Sequence, residues 1–368
     1  MTLLERLTAP GPKRILALDG GGARGMITLG FLERLEQLLR ERYGRPDLRL
    51  CEYFDLIGGT SVGATMAAGL AIGMDTSEIQ AVAREALKVF RHRRWKKWQS
   101  LFSADPLKAV LARVGKGRTL DDPFIKTGLC IMTKRADTRS TWPVTNHPKG
   151  RYFEKNRYIK LQDLVYASAA APIFFMPTRF EVGDGEVGAF IDGAVSMVNN
   201  PALQLFLMAT LEGYPFHWKR GEDNLLLVSI GTGTFKRRDT VRKVMNSRAW
   251  DWTVQVPTML MEDAATWNQM LLQLLSRSPT PWVIDDEVGA LEHDLIAPEP
   301  ALSYLRYDAR VTPAGLAEIG LPALSHRIER LHDMTNYDAR NQLLDIGRRS
   351  AALQMQPEHF PHRFDLSS

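Results

Sequence analysis

A serine at a sharp turn is the residue of this chain best placed to act as a nucleophile. It lies in the pattern G-x-S-x-G, formed by Gly59, Thr60, Ser61, Val62 and Gly63. Uncharged residues before it predict a buried strand and alanine-rich residues after it predict a helix, so the serine stands at a strand-to-helix turn. Glycine on either side avoids a collision across the bend, and the helix N-terminus favours negative charge beside the hydroxyl. The pattern therefore predicts acyl transfer through Ser61. A glycine-rich turn that only packs against its own helix is the structural alternative.

A glycine-rich loop follows an earlier predicted strand, at residues 14–18. It consists of Gly20, Gly21, Gly22, Ala23, Arg24 and Gly25. Consecutive glycines at a helix N-terminus leave backbone N–H groups free to bind negative charge. Two interpretations fit: an oxyanion hole for a carbonyl under attack by Ser61, and a dinucleotide site of the G-x-G-x-x-G type. A dinucleotide site needs an acidic residue at the end of the next strand. That strand ends without a carboxylate, so the oxyanion hole is favoured.

A serine nucleophile needs a base, and Asp192 is the stronger candidate. None of the eight histidines lies beside either glycine motif, although partners far apart in sequence can meet in the fold. Asp192 follows a short apolar strand and precedes Gly193 and Ala194, which would hold a carboxylate at the end of a strand. Asp-Gly is also an ordinary turn dipeptide, and by itself it favours a structural turn.

Taken together and in this order, the three motifs resemble the patatin-like phospholipases. The similar residues are 19–25, 59–63 and 192–194, with further similar blocks at 167–172, 199–201 and 229–233. The resemblance covers about residues 13–235. It implies a three-layer α/β fold, a Ser61–Asp192 dyad without a histidine, and residues 20–25 as the oxyanion hole. It also implies hydrolysis of fatty-acyl esters of phospholipids or lysophospholipids without a metal or another cofactor.

In such a dyad, Ser61 attacks the ester carbonyl while Asp192 takes its proton and returns it to the leaving alcohol. A carboxylate of ordinary pKa is a poor base for an alcohol, so a working dyad needs an aspartate of raised pKa. Burial of Asp192 is expected to raise its pKa in this way. An alcohol in place of water as acyl acceptor would make the chain a transacylase. A catalytically idle lipid- or partner-binding module is a further alternative. Arg24 would orient the loop, bind a phosphate headgroup or form a structural ion pair.

The elements that must position these residues follow from the hydropathy pattern. Strands alternate with helices, which predicts an α/β fold with a mostly parallel sheet. Strands are also predicted at 130–132, 141–144 and 225–230, and helices at 75–90, from 103, and in the stretch 336–353. Residues 1–235 are expected to form the catalytic domain. Residues 236–368 are expected to form a mainly helical C-terminal extension packed on it, with the charged residues 236–238 at the boundary.

Composition limits the class of protein. With 368 residues, of which 45% are hydrophobic, the chain can bury a large core. Cys51 and Cys130 lack metal-ligand spacing and fit a reducing cytosol. Residues 56–74 carry no charge but contain several glycines, which favours a buried strand and helix over a membrane span. No signal peptide is recognised, so the expected location is the cytoplasm, including the inner face of the membrane.

The net charge of +5 is concentrated in residues 90–102. Arginines and lysines there are interspersed with Trp95, Trp98 and Phe102, which would share one side of the segment if it formed a helix. This composition suits an anionic lipid surface, and a solvated helix whose tryptophans pack inward fits equally well. Nucleic-acid binding uses the same residue types but is not expected. Residues 236–368, which carry none of the motifs, are predicted to act as a lid, a homo-oligomer contact or an effector site. The resemblance includes family members activated by cyclic nucleotides.

Overall fold

A single mixed sheet organises the chain. The structure, a computed structural model, describes residues 2–91, 100–235 and 239–366. The strands within these residues are β1 Lys13–Leu18, β2 Leu56–Thr60, β3 Gly128–Arg135, β4 Ser140–Thr145, β5 Thr178–Glu181, β6 Val187–Asp192, β7 Leu225–Ile230 and β8 Ser303–Tyr307. Their order is β5-β6-β3-β2-β1-β7-β8, and β4 pairs with β3. Strands β1, β2, β3, β7 and β8 are parallel to one another, and β4, β5 and β6 pair antiparallel.

Helices cover both faces of this sheet. They are α1 Leu3–Thr8, α2 Gly25–Tyr43, α3 Leu50–Tyr53, α4 Val62–Ala71, α5 Thr76–Ala86, α6 Asp105–Gly115, α7 Phe153–Asn156, α8 Leu161–Ala169, α9 Ala202–Thr210, α10 Val241–Met245, α11 Ala249–Leu274, α12 Pro313–Glu318, α13 Ile328–His332 and α14 Arg340–Gln354. Side chains of α2, α4, α6, α8 and α14 pack in one core, and those of α9 and α11 pack in the other.

Strand β1 shows how one sheet serves two cores. Leu16 and Leu18 belong to the core on the α2 side, and Ile15 and Ala17 belong to the core on the α9 side. Because successive side chains of a strand point to opposite faces, a strand buried on both faces is a continuous apolar run. The predicted three-layer α/β fold with a mostly parallel sheet is confirmed. The uncharged segment 56–74 is β2 followed by α4, as expected, and no helix in the described ranges is both long and apolar enough to cross a membrane.

The register of β3 brings two strand ends together. On one edge, β4 pairs with residues 130–135 of β3. Strand β2 pairs with residues 128–132 and β6 with residues 133–135. Because a strand has only two edges, β2 and β6 must share the other edge, one after the other. Thr60 is the partner of Met132 and Asp192 the partner of Thr133, so the carboxyl ends of β2 and β6 meet.

Strand β8 was not predicted from the sequence. Its residues follow the segment at which a mainly helical extension was expected to begin, yet they pair in parallel with β7 and extend the central sheet. Arg306 makes the strand look polar, but its side chain is buried in an ion-pair network. The division of the chain at residue 235 stays a prediction. Its proposed boundary at 236–238 and the tryptophans of the basic segment, Trp95 and Trp98, lie outside the described residues.

Candidate active site

Ser61 adopts a strained backbone conformation between β2 and α4. Its φ is 55° and its ψ is −120°, a region that non-glycine residues rarely occupy. A Cβ on Gly59 would lie 2.3 Å from the carbonyl carbon of Gly63, and a Cβ on Gly63 would lie 2.2 Å from the carbonyl oxygen of Leu18. The predicted steric need for glycine on both sides of Ser61 is therefore confirmed. The turn carries the serine to the mouth of a cavity.

Asp192 is buried at the end of β6, in contact with Ser61. The residue is 2% exposed, and its Oδ1 accepts a hydrogen bond of 2.8 Å from the amide of Ala194. Burial raises the pKa of Asp192 to about 7, and the Ala194 amide and the Ser61 hydroxyl lower it by smaller amounts. A carboxyl that titrates near neutral pH can both accept and return a proton there, as general acid–base catalysis requires. The fold thus pairs the predicted nucleophile with the predicted base.

Two further side chains hold the Ser61 turn in place. The Ser61 amide donates to Oγ of Ser168 at 2.9 Å, and that hydroxyl donates to the carbonyl of Met132 at 2.6 Å. Thr60 donates its hydroxyl to the carbonyl of Val198, in the segment after Asp192. The sequence analysis did not propose Ser168 as a site residue, although it lies in the block at 167–172 that resembles the family. Ser168 fixes the turn to β3, and Thr60 fixes it to the segment that carries Asp192.

The glycine loop lies directly against the serine. An added Cβ on Gly20 would be 3.4 Å from Cβ of Ser61. The amide of Gly20 donates to the carbonyl of Asn199 at 3.0 Å, and the amide of Ala23 donates to the carbonyl of Met334 at 2.8 Å. Arg24 and Gly25 donate within the loop. In the part of the chain that the structure describes, this leaves Gly21 and Gly22 with unpaired amides. The oxyanion-hole role expected for the loop stays a prediction, and these two amides are its candidate donors.

A buried ion-pair network contacts the residue before this loop. Arg306 of β8 donates to Oδ2 of Asp19 at 2.8 Å and to Oδ2 of Asp308 at 3.0 Å. Burial raises the pKa of Asp19 to about 6, even with the guanidinium of Arg306 beside it. Thr232 donates its hydroxyl to the carbonyl of Gly20 at 3.0 Å. The C-terminal part of the chain therefore helps to position the loop. No sequence signal pointed to Arg306 or Asp308.

The side chain of Arg24 packs against Phe235. Its guanidinium lies over that ring, 5.2 Å from the centroid, and its buried Nε has no hydrogen-bond partner among the described residues. Burial lowers the pKa of Arg24, and Asp308, Glu262 and Asp19 act in the opposite direction. The side chain therefore packs beside the loop as a partly desolvated cation. Of the roles considered from the sequence, this packing supports orientation of the loop.

Ser61 forms part of the wall of an apolar cavity. Along α4 it is lined by Thr65, Ala68, Gly69 and Ile72, which share one face of the helix. From Ser61 to Ile72 this face extends about 16 Å along the helix axis. The remaining walls come mainly from apolar residues of α5, α6 and α8, including Ile79, Ala83, Leu107, Leu111, Val114 and Val165. The apolar lining and the length of this face suit a long alkyl chain whose carboxyl end is at Ser61.

No group of three or more His, Cys, Asp or Glu side chains arranged to hold a metal ion occurs within residues 2–91, 100–235 and 239–366. The groups gathered at Ser61 could support nucleophilic attack by Ser61 and proton transfer by Asp192. Backbone amides of the glycine loop could stabilise negative charge. The expectation that the reaction needs no metal or cofactor stays a prediction.

The sequence was also compared with known protein families and with individual known proteins. A family model described as patatin-like phospholipase matches residues 16–206, just over half of the chain. A cGAMP-activated phospholipase of Vibrio cholerae serotype O1 is 33% identical over 203 residues, which cover 51% of this chain and 55% of the relative. A cGAMP-activated phospholipase of Escherichia coli is 29% identical over 227 residues, which cover 60% and 62%. Patatin-T5 of Solanum tuberosum is 28% identical over 248 residues, which cover 64% of each chain.

The matched regions thus span between 55% and 64% of the length of these relatives. Among solved structures, VipD from Legionella pneumophila aligns with 92% of this chain and 67% of its own, with a TM-score of 0.42 and 15% identity.

Proposed function

The chain belongs to the patatin-like phospholipase family, and from this we propose that it hydrolyses fatty-acyl esters of phospholipids or lysophospholipids. The observation that carries the proposal is the contact between Ser61 and the buried Asp192 at the mouth of an apolar cavity. A nucleophile, a base whose pKa lies near 7 and a channel for an alkyl chain meet at one point. A catalytically idle binding module would have no need for this combination.

The reaction begins when Oγ of Ser61 attacks the carbonyl carbon of the acyl ester and its proton passes to the carboxylate of Asp192. The negative charge that forms on the carbonyl oxygen is stabilised by the free amides of Gly21 and Gly22. Asp192 then protonates the leaving alcohol oxygen, and the acyl chain stays attached to Ser61 as an ester. Asp192 next takes a proton from a water molecule that attacks this ester. As the bond between the acyl carbon and Oγ of Ser61 breaks, Asp192 returns this proton to Oγ, so the fatty acid leaves and both Ser61 and the Asp192 carboxylate are regenerated.

The acyl chain would occupy the cavity and the glycerol and headgroup would remain outside. Regulation is part of the proposal, because two relatives at 33% and 29% identity are named cGAMP-activated phospholipases. We therefore propose that a cyclic nucleotide activates this chain too. A location in the cytoplasm and at the inner membrane face, and assembly as a homo-oligomer, belong to the same proposal. An alcohol in place of water would produce acyl transfer by the same steps.

The proposal is tested by incubating the full chain with vesicles of mixed phosphatidylethanolamine and phosphatidylglycerol in EDTA, with and without cGAMP. Mass spectrometry should detect free fatty acid and lysophospholipid, formed faster when cGAMP is present. An acylated alcohol without free fatty acid would establish a transacylase. Absence of any acyl product under both conditions would contradict enzymatic function, and activity that requires added calcium would contradict a metal-independent reaction.

Ala68→Leu should discriminate between substrates by chain length. Ala68 lines the cavity seven residues after Ser61, about 10 Å along the helix axis. A larger side chain there should obstruct a long acyl chain and leave room for a short one. We expect kcat/KM for p-nitrophenyl palmitate to fall about tenfold relative to p-nitrophenyl butyrate. A folding defect would lower both rates together, and an unchanged ratio would show that the acyl chain lies elsewhere.

A further inference from the structure

Arg306 of β8 is a buried arginine that donates hydrogen bonds to three side chains. Only 5% of the residue is exposed. Its Nη1 donates to the hydroxyl of Ser229 at 2.8 Å, and its Nη2 donates to the carboxylates of Asp19 and Asp308. Replacing a buried ion pair by apolar side chains of similar volume is often neutral or stabilising. Packing of β8 in the sheet therefore does not by itself require an arginine at this position.

Asp19 connects Arg306 directly to the glycine loop. Among the described residues, Arg306 is the only hydrogen-bond donor to the Asp19 carboxylate, and Oδ1 of that carboxylate is buried without a partner. Asp19 immediately precedes Gly20, and its amide donates to the carbonyl of Ile230 at 3.1 Å. A Cβ placed on Gly63 would lie 2.7 Å from the carbonyl oxygen of Asp19. The residue that Arg306 holds thus contacts both the glycine loop and the serine turn.

Asp308 connects the same arginine to the loop by a second route. Its Oδ1 accepts a hydrogen bond from the amide of Gly233 at 2.6 Å, which fixes the segment 232–234 that follows β7. Thr232 of this segment donates its hydroxyl to the carbonyl of Gly20 at 3.0 Å. The guanidinium is therefore linked to the first residue of the loop from two directions.

The charge of Arg306 also matters for the chemistry expected of the loop. Burial raises the pKa of Asp19 to about 6, so this carboxyl is mostly ionised at neutral pH. It stands two residues before Gly21, where its negative charge would oppose an oxyanion, and little water is present to screen the repulsion. Asp308 and Arg24 act on Asp19 as well. Without Arg306, these groups would leave one buried negative charge uncompensated behind the loop.

We propose that Arg306 is a positioning residue of the oxyanion hole, which fixes the glycine loop through Asp19 and segment 232–234 and offsets the charge of Asp19. The inference rests on the proposed function, because the loop has an oxyanion to stabilise only if an ester is attacked at this site. Since Arg306 lies on β8, a catalytic unit that ended at residue 235 would lack part of its site.

Kinetics of the full chain with p-nitrophenyl butyrate test this proposal. Arg306→Met should lower kcat and kcat/KM together by about 100-fold, because the oxyanion exists only in the transition state and the intermediate. Arg306→Gln, which keeps a hydrogen-bond donor and removes the charge, should fall about tenfold, and Arg306→Lys should be more active than Arg306→Gln. Inhibition by an alkyl trifluoromethyl ketone, whose adduct with Ser61 carries an oxyanion, should weaken in the same order.

A double variant separates the charge of Arg306 from its packing. Asp19→Asn/Arg306→Met removes both members of the ion pair, so no unpaired carboxylate remains beside the loop. It should be about tenfold more active than Arg306→Met, whereas a residue needed only for packing would give a double variant no better than the single one. A double variant no more active than Arg306→Met would therefore overturn the charge compensation.

The matched control is Arg14→Met, which removes another arginine–carboxylate pair from β1. Nε of Arg14 lies 3.0 Å from Oδ2 of Asp55, at the end of the strand remote from the glycine loop. This variant should keep the wild-type kcat even if its melting temperature falls. An equal loss of kcat in Arg14→Met, or wild-type kcat in folded Arg306→Gln, would overturn the positioning role and leave the proposed function standing. Absence of hydrolysis in the wild-type chain would refute both.

Discussion

Ser61→Ala is expected to abolish ester hydrolysis, with a loss in kcat/KM on the order of 10⁴- to 10⁶-fold. Removing Oγ removes the atom that forms the acyl-enzyme, and Asp192 and the loop amides alone would support only a small residual rate. The fold should persist, because alanine meets the same backbone strain at a φ of 55° and the glycines around it are unchanged. A fluorophosphonate probe should label the wild-type protein and leave Ser61→Ala unlabelled.

The control for this experiment is Ser140→Ala, which changes an exposed serine at the start of β4. It should retain both labelling and hydrolysis. Mass spectrometry of the labelled peptide locates the reactive residue. If Ser61→Ala keeps its fold and still hydrolyses p-nitrophenyl butyrate near the wild-type rate, Ser61 is not the nucleophile.

Asp192→Asn is expected to lower kcat/KM by about 10² to 10⁴-fold, because an amide cannot accept the serine proton. For the wild-type protein, kcat/KM should rise with pH and level off above the pKa of Asp192, which burial raises to about 7. The ionised carboxylate is the active base. Asparagine keeps an oxygen that can accept the bond from the Ala194 amide, so the variant should fold. The pH-dependent rise due to Asp192 should disappear.

The same substitution should stabilise the protein at alkaline pH. The pKa of Asp192 is higher in the folded state than the ordinary value of about 4 in the unfolded chain. The folded state therefore binds more protons between about pH 4 and 7. Ionisation of Asp192 lowers the free energy of unfolding as pH rises through that window, by a few kcal/mol in total. Asp192→Asn lacks this loss, so its melting temperature should exceed that of wild type at pH 8 and the difference should shrink toward pH 4.

Comparing the two proteins isolates Asp192, because Asp19 and the other titrating groups are present in both. Eight variants, each with one of the eight histidines replaced, should retain most of the wild-type activity. A histidine variant that folds and is as inactive as Asp192→Asn would mean a triad. A variant Asp192→Asn that melts below wild type at every pH would contradict the cost assigned to the buried carboxylate.

The sequence by itself determined the local parts of the site. A strand that turns this sharply into a helix needs glycine at positions such as 59 and 63, so the spacing of Gly59 and Gly63 was enough to predict Ser61 as the candidate nucleophile. Asp192 was found as a carboxylate at the end of an apolar strand. The layered α/β fold followed from strands that are buried on both faces and alternate with helices. Each of these features depends on backbone sterics or on hydropathy within a short segment, and such information is written in neighbouring residues.

Only the tertiary structure decided which groups meet across long sequence distances. That β2 and β6 end at the same point depends on the register of β3, and the unpaired amides of Gly21 and Gly22 depend on what the rest of the loop contacts. An arginine such as Arg306 is typical of a protein surface when only its own segment is considered. In the fold it is buried, because Asp19 and Asp308 form ion pairs with it. The cavity exists only once α4, α5, α6 and α8 are packed together. These features arise from contacts between distant segments, whose partners no local pattern specifies.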